Sequence, residues 1–166
     1  MPVFAYATHM IKFTTLLTAL FVFFAAPAMA QNTPPPLDFG PKEALTITSG
    51  DKTHAFMVEI ADTDALQARG MMYRDNVPAN EGMLFEFAEP KVATIWMKNT
   101  AIFLDIIFVR ENGEILKIEH FARPYTLRRA SSEAPVAAVL ELQGGQSRAR
   151  GIKPGDKVNH SFFDNK

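Results

Sequence analysis

The residue string with the clearest chemical potential is Trp96-Met97-Lys98-Asn99-Thr100. On an extended backbone Trp96 and Lys98 share one face while Met97 points the other way. An indole beside an ammonium, an amide and a hydroxyl suits a small polar ligand or a sugar ring. The indole offers an apolar platform, and the polar heads fix orientation. The competing reading makes Trp96 a core anchor and Asn99-Thr100 turn residues bonded to their own backbone. Asp105 is the second candidate, because it interrupts the apolar run Ile102-Phe103-Leu104-Asp105-Ile106-Ile107-Phe108. A carboxylate in such surroundings must be paired, hydrogen-bonded or protonated. Lys98, Arg69 and Arg74 are available partners. Asp105 is then either an acid–base or ligand-orienting group, or a structural lock on a strand end. The candidate ligand site is therefore Trp96, Lys98, Asn99 and Asp105, with Arg69 as its charge partner. No catalytic residue is assigned; in an enzyme, Asp105 and Glu81 would be the acid–base candidates. Glu141 is a further carboxylate, but no spacing forces two of them together.

Other chemistries find less support. His54, His120 and His160 are far apart and form no i, i+4 pair, so no metal site is expected. Met71, Met72, Met83 and Met97 are soft ligands that could hold Cu(I), although each also reads as core filling. Ser131 and Ser132 lack the context of an activated nucleophile, and no Gly-rich phosphate loop is present. The absence of cysteine excludes disulfide-linked partners, thiolate metal sites and thiol nucleophiles. With 17 basic against 18 acidic side chains, the chain has no basic excess for nucleic acid. No cofactor is called for.

These residues need a scaffold, and its dominant period is two. Alternating stretches occur at 45–48, 54–61 and 83–87, and further strands at 136–142 and 158–162. Residues 102–109 are apolar on both faces, as in a strand covered on both sides. Asn112-Gly113 then turns the chain, predicting a β-hairpin of 102–110 with 114–121. Lys153-Pro154-Gly155-Asp156 predicts a type II turn. One short helix is expected near 64–69. Asp62-Thr63-Asp64 would cap it, with Gln67 at capping-box spacing from Asp64, and Gly70 would end it. A helical turn at 128–132 is a weaker expectation. The fold class is mainly β (a β-rich α+β chain): a single antiparallel sandwich or small barrel with one short helix.

The first thirty residues read differently. Lys12 precedes a 14-residue apolar run, and Ala28-Met29-Ala30 follows Pro27, which is the pattern of a secretory signal peptide. The run is short of the ~20 apolar residues of a membrane span. Met1 and Met10 are both possible starts. Cleavage after Ala30 removes 30 of the 166 residues and leaves 136. The loss of Lys12 leaves 16 basic against 18 acidic side chains, a charge of −2. Residues 31–43 carry four prolines and predict an extended linker clear of the core. Residues 44–166 form the single domain. The protein is expected to be exported, periplasmic or secreted, without a transmembrane span after cleavage.

Ordered strings along the domain resemble a known family. They are Arg69-Gly70-Met71-Met72, Glu81-Gly82-Met83-Leu84-Phe85, Trp96-Met97-Lys98-Asn99-Thr100, Leu104-Asp105-Ile106-Ile107-Phe108, Val139-Leu140-Glu141-Leu142 and Gly151-Ile152-Lys153-Pro154-Gly155-Asp156. In this order they resemble the bacterial and archaeal domain-of-unknown-function family numbered 192, over roughly residues 44–160. The resemblance implies a β-rich, often exported fold and brings no established activity. Many members carry a Cys-bearing segment after the hairpin, where this chain has Ala122-Arg123-Pro124-Tyr125-Thr126-Leu127. A thiol-dependent function does not carry over to this sequence. The favoured reading is a non-catalytic binding or accessory module of the cell envelope, for a small polar or anionic ligand or a glycan. The alternatives are an acid–base enzyme acting on a polar envelope substrate and a Cu(I)-handling protein.

Overall fold

A computed structural model describes Met1 and residues 34–164. The expected signal peptide lies outside the described residues, and residues 34–164 belong to one compact unit. Among the described residues there are seven strands: β1 (Glu43–Ser49), β2 (Lys52–Ala61), β3 (Glu81–Ile95), β4 (Leu104–Val109), β5 (Ile115–Ala122), β6 (Ala130–Gln143) and β7 (Lys157–Asn159). They form one curled sheet in the order β5-β4-β6-β3-β2-β1-β7. The expected hairpin is β4 paired with β5, and its turn closes with Gly113 N–H donating to Arg110 O at 2.9 Å.

One pair departs from the antiparallel expectation. β2 and β3 run parallel, with Val58 opposite Gly82 and Ile60 opposite Leu84. A parallel pair needs a crossover of a dozen or more residues, and Asp62–Asn80 supplies it. Helix α1 (Asp64–Arg69) opens that crossover. Thr63 caps it by accepting from Leu66 N–H at 3.3 Å, and Gly70 ends it at φ 46°. Gln67 does not close the expected capping box. Its amide donates to Ala61 O (3.2 Å) and Glu86 O (2.7 Å), tying the helix to β2 and β3.

The sheet is buried on both faces. One core draws on all seven strands, through Leu45, Val58, Leu84, Ile107, Ile115, Leu140 and Val158 among others. The other gathers Met83, Phe85, Leu104, Ile106, Phe108 and Val139 beneath Met71, Val77 and Met97 from the loops. Every residue of β4 is buried, Asp105 included, as expected of a largely apolar strand covered on both faces. The first core is continuous because the sheet's two edges meet. Ile115 N–H donates to Asp156 O (2.8 Å) and Val158 N–H to Gly113 O (2.8 Å), a seam between the hairpin and β7. A Cβ on Gly113 would sit 2.5 Å from Val158 O, so this approach needs glycine. The result is a half-barrel.

Further differences from the sequence reading are local. β3 continues past Pro90 to Ile95, and its pairing with β6 shifts register between Glu86 and Lys91. A bulge is where proline is tolerated in a sheet. Residues 130–132 belong to β6, not to a helical turn. There Ser132 Oγ accepts from Ala93 N–H (2.9 Å) and donates to Ala134 O (2.7 Å). β7 stops at Asn159 and gives way to helix α3 (Ser161–Asp164), while α2 (Gln146–Arg150) follows β6. Phe39, from the Pro-rich stretch expected to stay clear of the core, is half-buried against it. Among the described residues, no helix is long and apolar enough to cross a membrane.

Candidate functional site

Register places a row of side chains across the sheet: Glu59 on β2, Met83 on β3, Glu141 on β6 and Ile106 on β4. Glu141 is only 4% exposed, yet it lines a cavity of about 170 Å³. The walls are largely apolar, with Met71, Met72, Phe85 and Ile95, and the polar lining includes Gln67, Arg69, Trp96 and Thr100. Among the described residues none hydrogen-bonds the Glu141 carboxyl. Burial pushes its pKa from the ordinary 4.5 to about 8, although the nearby Arg74 guanidinium pulls the other way. Arg74 is itself engaged by Glu59 at 2.5 Å. At neutral pH Glu141 is thus mostly a neutral acid, able to donate as well as accept.

The crossover supplies one side of the mouth. Arg69 is the last residue of α1, and Gly70 turns the chain where a Cβ would lie 3.0 Å from the Phe85 ring. The Arg69 guanidinium donates to Pro35 O at 2.9 Å and stands 5.4 Å from the Tyr73 ring centroid. Among the described residues no carboxylate pairs with it. Trp96, 42% exposed, stands at the other side. Lys98 Nζ and the Arg129 guanidinium carbon lie 5.2 and 5.8 Å from its ring centroid, within cation–π range. Asn99, at φ 54°, supports the wall: its side-chain amide donates to Tyr73 Oη (2.8 Å), and its backbone oxygen accepts from Tyr73 N–H (2.8 Å). A second cavity, of about 250 Å³, shares Arg69, Gly70 and Met72 and is roofed by Pro34, Pro36 and Leu37.

Of the residues singled out in sequence, Arg69 and Trp96 meet at the first cavity. Lys98 stands against Trp96, and Asn99 braces Met72 and Tyr73. Trp96 is too exposed to be a core anchor. Asp105 lies elsewhere. It is fully buried, and its oxygens accept from the N–H groups of Phe121, Gly145 and Ser147 (each 2.9 Å) and from Ser147 Oγ (2.5 Å). None of Lys98, Arg69 or Arg74 pairs with it; the partners are three backbone amides and the Ser147 hydroxyl, and Asp105 is a lock between β4, β5 and α2. Ser147, which the sequence did not single out, also contacts His120 Nδ1 at 2.9 Å. Glu81 forms an ion pair with Lys42 at the start of β3 and is absent from the cavity lining. Met71, Met83 and Met97 are core residues, while Met72 lines both cavities. Among the described residues no group of three or more His, Asp or Glu side chains could hold a metal.

Glu141 is the residue that sequence reasoning undervalued. Its signal was the one that drew attention to Asp105, a carboxylate inside an apolar strand, here Val139-Leu140-Glu141-Leu142. No curated protein matches the chain. A crystal structure of a candidate transcription regulator from Sinorhizobium meliloti 1021 is similar over 77% of this chain and 99% of its own, at 32% identity and a TM-score of 0.74. A protein of unknown function from Novosphingobium aromaticivorans DSM 12444 is similar over 72% and 85%, at 42% identity and a TM-score of 0.70. Residues 45–160, which run from within β1 to just past β7, match the model of the uncharacterised family DUF192 (Uncharacterized ACR), and the chain belongs to that family.

Proposed function

We propose that this domain is a non-catalytic binding module of the cell envelope that holds a small polar ligand in the Glu141 cavity. One observation carries the reading: a nearly buried carboxyl that no protein group hydrogen-bonds opens onto a cavity that an exposed tryptophan borders. The hydrogen bonds of such a carboxyl are left to whatever fills the cavity, and a ligand that completes them in a largely apolar pocket gains affinity. Trp96 supplies a flat apolar surface and Arg69 a charged donor. Binding is favoured over acid–base catalysis because Glu141 is the one carboxyl in the lining, and glycoside hydrolysis, for example, needs two. The leader-like first thirty residues support an envelope location.

The chain contains a single tryptophan, so intrinsic fluorescence reports on Trp96 alone. Titrating the protein without residues 1–30 with neutral sugars, polyols, small carboxylates and phosphate is expected to quench or shift that emission for at least one class. R69M should weaken the effect at least tenfold. No change in fluorescence or in thermal midpoint with any class would overturn the proposal. Export is checked separately, since the secreted or periplasmic form should begin at Gln31.

A further inference from the structure

We infer that the Glu141 cavity takes a small organic carboxylate, whose charged head meets Arg69 and the Glu141 carboxyl while its apolar body lies against Met71, Met72, Phe85 and Ile95. This rests on the binding role proposed above and names the class of ligand. The charges around the cavity decide its sign. Arg69 lines it, and Lys98 and Arg129 flank Trp96; among the described residues none of the three has a carboxylate partner. Arg74 also acts on Glu141, but its charge is matched by Glu59. A cationic ligand would be repelled by the three cations that lack a carboxylate partner. A neutral sugar would leave the Arg69 guanidinium without a counter-charge.

The walls then choose among anions. Inorganic phosphate has nothing to place against two methionines, a phenylalanine and an isoleucine, whereas an organic acid with a few carbons does. Guanidinium binds a carboxylate in bidentate fashion, and a protonated carboxyl can donate to a carboxylate oxygen. That second contact requires Glu141 to keep its proton. The groups facing Glu141 across the sheet leave it in that state. Glu59 on β2 is paired with Arg74, and β3 and β4 present only Met83 and Ile106. Beyond Ile106, Glu119 on β5 is paired with Arg128.

The test uses propionate and lactate, with propionamide, lactamide, phosphate and glucose as comparisons, read by Trp96 fluorescence and by thermal shift. The carboxylates are expected to bind at pH 6.5 at least tenfold more tightly than their amides. Their affinity should fall about tenfold per pH unit once the pH passes the Glu141 pKa near 8, because ionised Glu141 repels them. E141Q keeps a donor that cannot ionise, so its affinity should be flat over the same range. R69M should lose carboxylate binding while keeping the wild-type thermal midpoint without ligand. Binding of glucose, phosphate or the amides as tight as that of the carboxylates would overturn this inference and leave the binding role standing. A carboxylate affinity with the same pH dependence in E141Q would also overturn it. Silence from every compound would remove both.

Discussion

A carboxyl group whose pKa rises on folding weakens the fold as the pH climbs. Glu141 titrates near 8 in the native domain against 4.5 ordinarily. Between those values the unfolded chain has lost the proton that the native state retains. Stability should therefore fall by about 1.4 kcal/mol per pH unit across that window and level off on either side. Calorimetry from pH 5.5 to 7.5 should show the wild-type midpoint falling by about 10 °C more than that of E141Q, with E141Q the more stable protein at pH 8. Parallel profiles for the two proteins would mean that Glu141 is hydrated. Asp105 and Glu141 also mark how far single residues can be read. Both interrupt apolar strands, and the sequence treats them alike. What separates them is whether backbone N–H groups arrive from distant positions. For Asp105 these come from 121, 145 and 147; for Glu141 none arrives. Such partners are set by tertiary approach, which residue spacing does not encode.

Among the elements, β3 and β6 approach most closely beside Glu141. Gly82 on β3 faces Leu142, and a Cβ there would lie 2.5 Å from Glu141 O and 2.7 Å from the Leu142 side chain. G82A should therefore force the two strands apart and cost about 2–4 kcal/mol. G151A makes a useful control, because Gly151 has open space around it and only its φ of 73° is unfavourable; about 1 kcal/mol is expected. Urea midpoints of the two variants check the contrast, and equal losses would show that steric approach at Gly82 is unimportant. The local elements were the readable ones. The β4–β5 hairpin, the cap of α1 and the turn at 153–156, with Gly155 at φ 92°, each depend on neighbours in sequence. The parallel β2–β3 pair was not readable, although it places Arg69 and Met72 beside Trp96. A helix between two strands fits either direction of return, and only the sheet decides.

At the scale of the whole molecule, stability depends on a sheet whose edges meet. Ending the chain after Asp156 would remove Val158 and Phe163 from the seven-strand core and break the seam to Gly113. Burial of two such side chains is worth about 3–6 kcal/mol, a large share of the stability of an ordinary domain. Circular dichroism of this truncation should show no cooperative thermal transition, where the intact domain shows one; a sharp melt would mean that the seam is dispensable. The β-rich class was legible because alternation is local. The closure was not, since it joins Gly113 to Val158 through a three-residue strand with little pattern of its own.

That late strand also sets a schedule. β7 pairs with β1 along Thr46–Thr48 and bonds to the hairpin on its other side, so the first strand and the middle of the chain both wait for residues 157–159. A polypeptide emerging amino end first, from a ribosome or through a translocation channel, leaves this core open until residues 157–159 have passed. Until then the domain stays threadable, and it locks only once that strand is in place.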